Sequence, residues 1–145
     1  MSLRADALYF IGEAISLLKM KSFLYSRIEA FRHAFRGLFY VMKTQRNAWI
    51  HTAITIAVFA VGIFLEISLT EWAIIVLTTA LVFMAEFINT AIEAVVDLAS
   101  PNKHPLAKIG KDVGAAAVLV AAFAATLVGL LILGPPLIQK LFAIP

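Results

Sequence analysis

Cysteine is absent from this 145-residue chain, and charged residues are scarce. The lack of cysteine excludes disulfide bonds and thiolate chemistry. Charged residues make up only 14% of the sequence, whereas hydrophobic residues make up 62%. An ordinary soluble domain carries about 25% charged residues. The composition therefore places the chain in a lipid bilayer.

Several common sequence signatures are also missing. The chain has no glycine-rich Walker loop, no HExxH motif and no nucleophile elbow, so a nucleotide would have to be held by a different arrangement. Residues 1–21 carry Asp6 and Glu13 and lack a long apolar core. We therefore expect no cleavable signal peptide, and we expect the first spanning helix to act as the insertion signal.

Long apolar stretches predict three membrane-spanning helices. These spans are predicted at about residues 47–65, 71–98 and 113–138. The second is about 42 Å long at 1.5 Å per residue, so one of its ends must project into the cytoplasmic interface. We expect it to end before Pro101, because proline disfavours helical geometry in the preceding residue. The third is expected to close near Gly134-Pro135-Pro136.

Residues 26–46 alternate basic and apolar side chains at helical spacing. Ile28, Phe31, Phe35, Phe39 and Met42 fall on one side. This pattern predicts an amphipathic helix on the membrane surface. A soluble nucleic-acid-binding helix is the alternative, but three spans follow at once, so we predict no nucleic-acid partner. Residues 1–25 form an N-terminal extension of no assigned function, and residues 26–145 form one membrane domain.

The basic residues are distributed unevenly between the two ends of the predicted spans. Five lie within residues 26–46, just before the first span, three lie in the second loop, and the first loop has none; they are Arg27, Arg32, Arg36, Lys43, Arg46, Lys103, Lys108 and Lys111. The positive-inside rule then predicts that the N-terminus and the second loop are cytoplasmic and that the C-terminus is external.

The second predicted span holds four polar side chains on one face: Glu86, Asn89, Glu93 and Asp97. Their spacing confines them to a sector of roughly 80° on a helix. Ionisable residues inside a bilayer are costly and usually face a polar interior. The stripe is therefore a candidate site for a hard cation or for general-base chemistry. A polar network that only fixes helix packing is the alternative, and Asp97 also suits a snorkelling position at the helix end.

Positive charge follows this stripe in the second loop. Lys103, His104, Lys108 and Lys111 precede Asp112, where the third span is predicted to begin. Backbone N–H groups at a helix start bind anions such as phosphate. Lysines beside a membrane also act as topology signals or bind anionic lipids, and composition favours neither role.

Two segments carry a resemblance to a known family. They read AEFINTAIEAVVDLASPNKHPLAKIGKDVGAAAVL at residues 85–119 and RHAFRGLFYVMKTQRNAWIH at residues 32–51. The chain resembles the bacterial diacylglycerol kinase family of small trimeric lipid kinases, which includes undecaprenol kinases. The resemblance covers about residues 31–133 without an obvious gap. Its E-x-x-N-[ST]-A-I-E-x-x-V-D element, with the H-x-L-x(4)-K-D that follows, is highly specific.

The resemblance implies a homotrimer that uses ATP and Mg²⁺. In the family, the first glutamate of the element is the base on the lipid hydroxyl, which falls on Glu86, and Asn89 then supports the site. The second glutamate binds Mg²⁺ and nucleotide, and it falls on Glu93. By the same resemblance, the remaining nucleotide contacts fall on His33, Asp97, Asn102, Lys103, His104, Lys111 and Asp112.

One position departs from part of the family. Some members place a metal-binding glutamate in the surface helix, where this chain has Gln45, a neutral and poorer ligand for Mg²⁺. The surrounding K-T-Q-R-N segment resembles the undecaprenol kinase branch more than the diacylglycerol kinase branch.

The sequence therefore predicts an all-α integral membrane protein of the bacterial inner membrane, with a surface helix and three spans, acting as a homotrimeric lipid kinase. We expect it to transfer the γ-phosphate of ATP to a membrane lipid alcohol. The K-T-Q-R-N segment favours undecaprenol as the acceptor. Diacylglycerol is the alternative, because it too presents a primary alcohol at the interface. A polyprenyl-phosphate phosphatase or phosphotransferase and a non-enzymatic membrane oligomer are the rival functions.

Overall fold

The computed structural model describes residues 2–142, with side chains described for residue 13 and residues 16–142. The regular secondary structure of this part of the chain is all helical, and its helices are α1 (Ser2–Thr44), α2 (Arg46–Leu65), α3 (Leu69–Ala99) and α4 (Pro105–Phe142). Helices α2, α3 and α4 are each long and apolar enough to cross a membrane. The predicted class, an all-α integral membrane protein with an N-terminal helix and three spans, is confirmed. Residues 143–145 of the predicted external C-terminus lie outside the described residues.

The chain divides into two compact units, residues 1–40 and residues 41–145. The first unit consists of most of α1, which is continuous from Ser2, so no helix end separates residues 1–25 from the predicted surface helix. No proline or glycine interrupts the sequence between Lys19 and Arg36, which explains this continuity. The apolar side chains Ile28, Phe31 and Phe35 are exposed.

Helix α1 ends at Thr44, two residues before the predicted end, and α2 begins directly after Gln45. Gln45 has an extended backbone, with φ of −100° and ψ of 115°, and its side chain does not cap α2. The break leaves the Gln45 side chain available for a partner elsewhere in the fold.

The turn from α2 to α3 is short and closely packed. Glu66 ends α2 in the left-handed region, at φ 55° and ψ 43°. Ser68 and Glu71 then form a capping box, in which each side chain bonds to the backbone N–H of the other residue. Trp72 packs against Gly62, where an added Cβ would lie 3.0 Å from the indole ring. These contacts fold α3 back along α2.

The sequence predicted that the third span begins near residue 113. Helix α4 begins earlier, at Pro105. The backbone N–H of Leu106 donates to His104 Nδ1 at 3.2 Å, so the imidazole caps the helix, and Pro105 suits the first helical position. Lys108, Lys111 and Asp112 therefore lie on the first turns of a helix and not in a loop.

The far end of α4 also differs from the prediction. The helix continues through Pro135 and Pro136 to Phe142. Each proline removes one backbone hydrogen bond, but in an apolar setting an unwound segment would leave more backbone groups unsatisfied. The proline pair therefore does not end this span.

Helices α3 and α4 share the largest interface, and α2 contacts each of them less extensively. Buried apolar side chains on the spans include Ala48, Ile75, Val82, Val118 and Leu133. Most other apolar side chains of the three spans are exposed on the single chain, as expected for surfaces that face lipid or other subunits. The polar stripe of α3 begins within this bundle, where Glu86 and Asn89 are buried, and ends at the exposed Asp97.

Candidate active site

Glu86 lies near the middle of α3 and has no exposed surface. Neither of its carboxylate oxygens accepts a hydrogen bond from the residues that the structure describes. His51 and Glu93 lie near enough to act on it electrostatically. Burying an acidic group without a partner costs free energy, so this position indicates a role other than stabilising the fold.

Glu93 lies about 10 Å further along α3 and is held between two side-chain amides. Asn89 Nδ2 donates to Glu93 Oε1 at 3.1 Å, and Gln45 Nε2 donates to Glu93 Oε2 at 3.3 Å. Each carboxylate oxygen thus receives one donor and keeps lone pairs free for a cation. The two amides fix the orientation of this carboxylate.

Gln45 was expected from the resemblance to be a poor metal ligand. The structure places it beside Glu93, across 48 residues of sequence, with its amide nitrogen toward the carboxylate. Because an amide N–H is a donor, the nitrogen itself does not ligate a cation in this arrangement.

One ion pair connects the stripe to the start of α4, and a second lies within α4 itself. Lys111 Nζ lies 2.5 Å from Asp97 Oδ1 and thus joins α4 to α3. Lys108 Nζ lies 2.5 Å from Asp112 Oδ2, one turn apart on α4. The structure therefore gathers Gln45, Asn89 and Glu93 in one hydrogen-bonded group, with a second, ionic group at Asp97.

The predicted nucleotide contacts of the loop are exposed. Asn102, Lys103 and His104 all face solvent, and Ser100 Oγ donates to the Asn102 carbonyl at 3.0 Å. Since His104 Nδ1 caps α4, its Nε2 carries the proton in the neutral ring and is the ring nitrogen left to meet a ligand. His33 lies on α1, in the unit of residues 1–40, and is also exposed.

The residues around Glu93 suit a magnesium ion that is shared with a nucleotide. Among the described residues, no group of three His, Cys, Asp or Glu side chains is close enough to hold a metal ion. Mg²⁺ is usually bound through one or two carboxylates, with phosphate oxygens and water as the other ligands. The half-buried Glu93 carboxylate, with its orientation fixed and lone pairs free, fits this mode.

An apolar cavity of about 440 Å³ lies between α2, α3 and α4. On α2 it extends from His51 to Val61, about 15 Å along the helix axis. Val82 lines the cavity on α3, and Glu86 follows one helical turn later. The His51 ring makes an edge-to-face contact with Phe83, so His51 lies at the same end of the cavity as Glu86. The cavity thus ends within about one helical turn of the unpartnered Glu86 carboxylate, which is not itself part of the lining.

His51 lines the candidate site but was not selected from the sequence. Apart from Arg46 at the helix start, it is the one ionisable residue of α2. An ionisable side chain within a spanning helix is by itself a sign of a functional position, and that signal was present in the sequence.

Carboxylates near an apolar cavity, with exposed cations at the same end of the spans, form a membrane site suited to a lipid and a water-soluble anion together. Comparison with known proteins identifies the class more closely. The sequence profile described as prokaryotic diacylglycerol kinase matches residues 32–133. The chain belongs to the prokaryotic diacylglycerol kinase family.

The relatives in this family are named for two different substrates, undecaprenol and diacylglycerol. The chain is 44% identical to the undecaprenol kinase of Bacillus subtilis (strain 168), over 75% of this chain and 89% of that protein. It is 46% identical to the diacylglycerol kinase of Synechocystis sp., over 76% of this chain and 63% of that protein. It is 33% identical to the diacylglycerol kinase of Escherichia coli (strain K12), over 61% of this chain and 78% of that protein.

Family membership decides between the functions that the sequence left open. The chain is an ATP-dependent lipid kinase of a bacterial membrane. The rival functions, a polyprenyl-phosphate phosphatase and a non-enzymatic oligomer, are therefore set aside.

Proposed function

We propose that this kinase phosphorylates a polyprenol, with undecaprenol favoured and diacylglycerol as the alternative acceptor. Glu86 is the proposed general base for this phosphoryl transfer. The observation that carries this role is the buried position of its carboxylate. No described residue donates a hydrogen bond to this buried carboxylate. The hydroxyl of a bound alcohol could therefore be its donor.

The apolar cavity supports a long hydrocarbon acceptor. Its lining is mainly aliphatic, with His51 and four threonines as the polar exceptions, namely Thr55, Thr78, Thr79 and Thr126. An isoprenoid chain along α2 would bring its terminal hydroxyl to the Glu86 end. The K-T-Q-R-N segment and the match over 89% of an undecaprenol kinase favour the polyprenol over the glyceride.

In the proposed reaction, Glu86 removes the proton from the acceptor hydroxyl. The alkoxide-like oxygen forms a bond to the γ-phosphorus of ATP as the bond from that phosphorus to the β,γ-bridging oxygen breaks. The products are the phosphorylated lipid and ADP, and the proton stays on Glu86 until it is returned to solvent. Such a transfer depends mainly on alignment and on neutralising the phosphate charge.

The residues near Glu93 supply that alignment and charge. Mg²⁺, held by Glu93 and the phosphates, would neutralise charge that develops on the transferred group. Asn89 and Gln45 keep the Glu93 carboxylate in place, although Gln45 adds no charge of its own. Lys111, paired with Asp97 and half-exposed, provides a cation for the phosphates. Asn102, Lys103, His104 and Asp112 contribute the remaining nucleotide contacts.

The proposed assembly is a homotrimer, as the family resemblance implies. A bundle of three spans leaves most of its apolar surface exposed, which is consistent with further helix contacts between subunits. The surface helix that carries His33 would then close the site of a neighbouring subunit. The proposed topology has a cytoplasmic N-terminus and second loop, in keeping with the cytoplasmic supply of ATP.

A direct comparison of acceptors tests this assignment. Purified protein in nanodiscs would be assayed with Mg²⁺ and ATP against a polyprenol and against diacylglycerol, with ADP and phosphorylated lipid both measured. Since apolar pockets discriminate between hydrocarbon chains by roughly 10- to 200-fold, we expect kcat/KM to favour the polyprenol at least about tenfold. An equal or greater kcat/KM for diacylglycerol would overturn the polyprenol assignment.

A further inference from the structure

Gly114 on α4 directly faces Asn89 on α3. Gly114 is buried, and an added Cβ at this position would overlap Asn89 Oδ1 and lie 3.5 Å from Asn89 Cγ. The amide oxygen of Asn89 therefore occupies the space that any side chain at position 114 would require.

The orientation of the Asn89 amide follows from its other contact. Its Nδ2 donates to Glu93 Oε1 at 3.1 Å. A carboxylate only accepts hydrogen bonds, so the NH₂ group of Asn89 must face Glu93 and Oδ1 must point the other way, at Gly114. Oδ1 is buried and accepts no hydrogen bond from the described residues.

We propose that Gly114 is a positioning residue, whose missing side chain lets Asn89 hold the Glu93 carboxylate in the orientation that binds the magnesium–nucleotide complex. This role rests on the proposed function of Glu93. It is more specific than a general requirement for small residues between packed helices. This role also explains why Asn89 Oδ1 stays buried although it accepts no hydrogen bond from the described residues.

The other glycines of α4 make no comparable contact. A Cβ at Gly110 would lie 3.6 Å from Val96 Cγ2, which is an ordinary van der Waals distance. At Gly129 and Gly134 nothing lies within 4 Å of an added Cβ. Gly110 is therefore the matched control, since it lies one turn before Gly114 on the same helix.

The experiment compares Gly114→Ala, Gly110→Ala and Asn89→Ala, together with the double variant Gly114→Ala/Asn89→Ala. Each is titrated with Mg²⁺ and a non-hydrolysable ATP analogue to obtain Kd, and kcat and KM are measured separately. Loss of a group that orients a metal ligand costs about 10- to 100-fold in affinity. We expect this increase in Kd and KM for Gly114→Ala and for Asn89→Ala, a smaller change in kcat, and wild-type values for Gly110→Ala.

The double variant separates positioning from helix packing. Without the Asn89 amide, the nearest remaining atom to the methyl group at position 114 would be the α-carbon of residue 89, at 3.9 Å. Adding Gly114→Ala to Asn89→Ala should therefore change Kd by less than about twofold. If the increases in Kd caused by Gly114→Ala and Asn89→Ala instead multiply in the double variant, the inference is overturned. An equal increase in Kd for Gly110→Ala would also overturn it.

Thermal unfolding and size-exclusion profiles cover the case in which Gly114→Ala fails to fold. If the double variant recovers a folded oligomer, this supports a collision between the methyl group at position 114 and the Asn89 side chain. If neither Gly114→Ala nor the double variant folds, this collision is contradicted. Polyprenol phosphorylation by the wild type tests the proposed function separately. A wild type that binds Mg²⁺ and nucleotide but phosphorylates no polyprenol would refute that function and leave the Gly114 comparison readable.

Discussion

Lys111 Nζ lies 2.5 Å from Asp97 Oδ1, and this ion pair joins the first turns of α4 to the last turns of α3. The two side chains are 39% and 66% exposed. An ion pair this exposed contributes at most about 1 kcal/mol to stability. The position of Lys111 beside the polar stripe of α3 therefore points to a functional use of its charge.

We predict that Lys111→Met raises KM for MgATP about tenfold or more, because a hydrogen bond to a charged group contributes about 1.5–3 kcal/mol. The melting temperature should change little. Steady-state kinetics at saturating lipid measure the first effect and differential scanning calorimetry the second. Lys140→Met in the last turn of α4 is the control, since it also removes one lysine charge from this helix but lies outside the proposed site. Equal KM values in the two variants would contradict the role of Lys111.

Glu93→Gln should abolish activity while the protein stays a folded oligomer. The substitution removes the charge that holds Mg²⁺ with little change in side-chain volume. It also replaces one acceptor by a donor, so either Gln45 or Asn89 loses its present hydrogen bond. Product formation across a Mg²⁺ titration is the measurement, with size-exclusion chromatography to confirm assembly. Near-normal turnover at ordinary Mg²⁺ would refute the assignment, and Glu66→Gln at the exposed α2–α3 turn controls for loss of one negative charge.

Gln45→Glu should couple thermal stability to Mg²⁺. Gln45 Nε2 lies 3.3 Å from Glu93 Oε2, so the variant replaces a hydrogen bond by two adjacent carboxylates, which destabilise each other without a cation. We expect the melting temperature to fall in EDTA and to recover with added Mg²⁺, because a ligand that binds only the folded state stabilises it. Gln139→Glu on the exposed end of α4 is the control. An identical response of both variants to Mg²⁺ would argue against a cation site at Glu93.

The positions of the polar residues along α3 could be predicted from the sequence, because helical spacing alone puts Glu86, Asn89 and Glu93 on one face. The end of α2 and the start of α3 were also close to their predicted places, since apolar length and the Ser68–Glu71 spacing mark them locally. These features depend on residues that lie near one another in the chain.

Contacts between distant residues could not be predicted in this way. The Gln45–Glu93 hydrogen bond joins positions 48 residues apart, and the close approach of Gly114 to Asn89 depends on how α3 and α4 pack. Helical spacing does not give the angle or the distance between two helices. The early start of α4 depends on His104 acting as a cap, a use of histidine that composition does not indicate.

The topology prediction places position 103 in the cytoplasm and position 141 outside. The native chain has no cysteine, so single substitutions are specific probes. In intact cells an impermeant maleimide should label Leu141→Cys and should not label Lys103→Cys until the membrane is permeabilised. Labelling of position 103 in intact cells would reverse the predicted orientation.

The final prediction concerns Glu86, which is fully buried and lies roughly 16 Å along α3 from Asp97, deeper in the bilayer than the ionic end of the stripe. If Glu86 takes the proton from the lipid hydroxyl, Glu86→Gln should lower kcat by about 10²- to 10⁴-fold, the usual contribution of a general base. Binding of MgATP should survive, because Glu93, its two amide partners and Lys111 are unchanged. Thermal stability should not fall, since the carboxylate oxygens accept no hydrogen bond from the described residues.

Rapid-quench measurement of lipid phosphate formation gives the chemical rate, and titration with a non-hydrolysable ATP analogue gives nucleotide affinity. A defect in kcat without a change in nucleotide Kd identifies an interaction made only in the transition state. Loss of MgATP binding would instead make Glu86 a ligand of the metal or nucleotide. A nearly normal kcat would mean that the buried carboxylate serves helix packing, and the base would then have to be sought elsewhere at the cavity end, with His51 as the nearest ionisable side chain on α2.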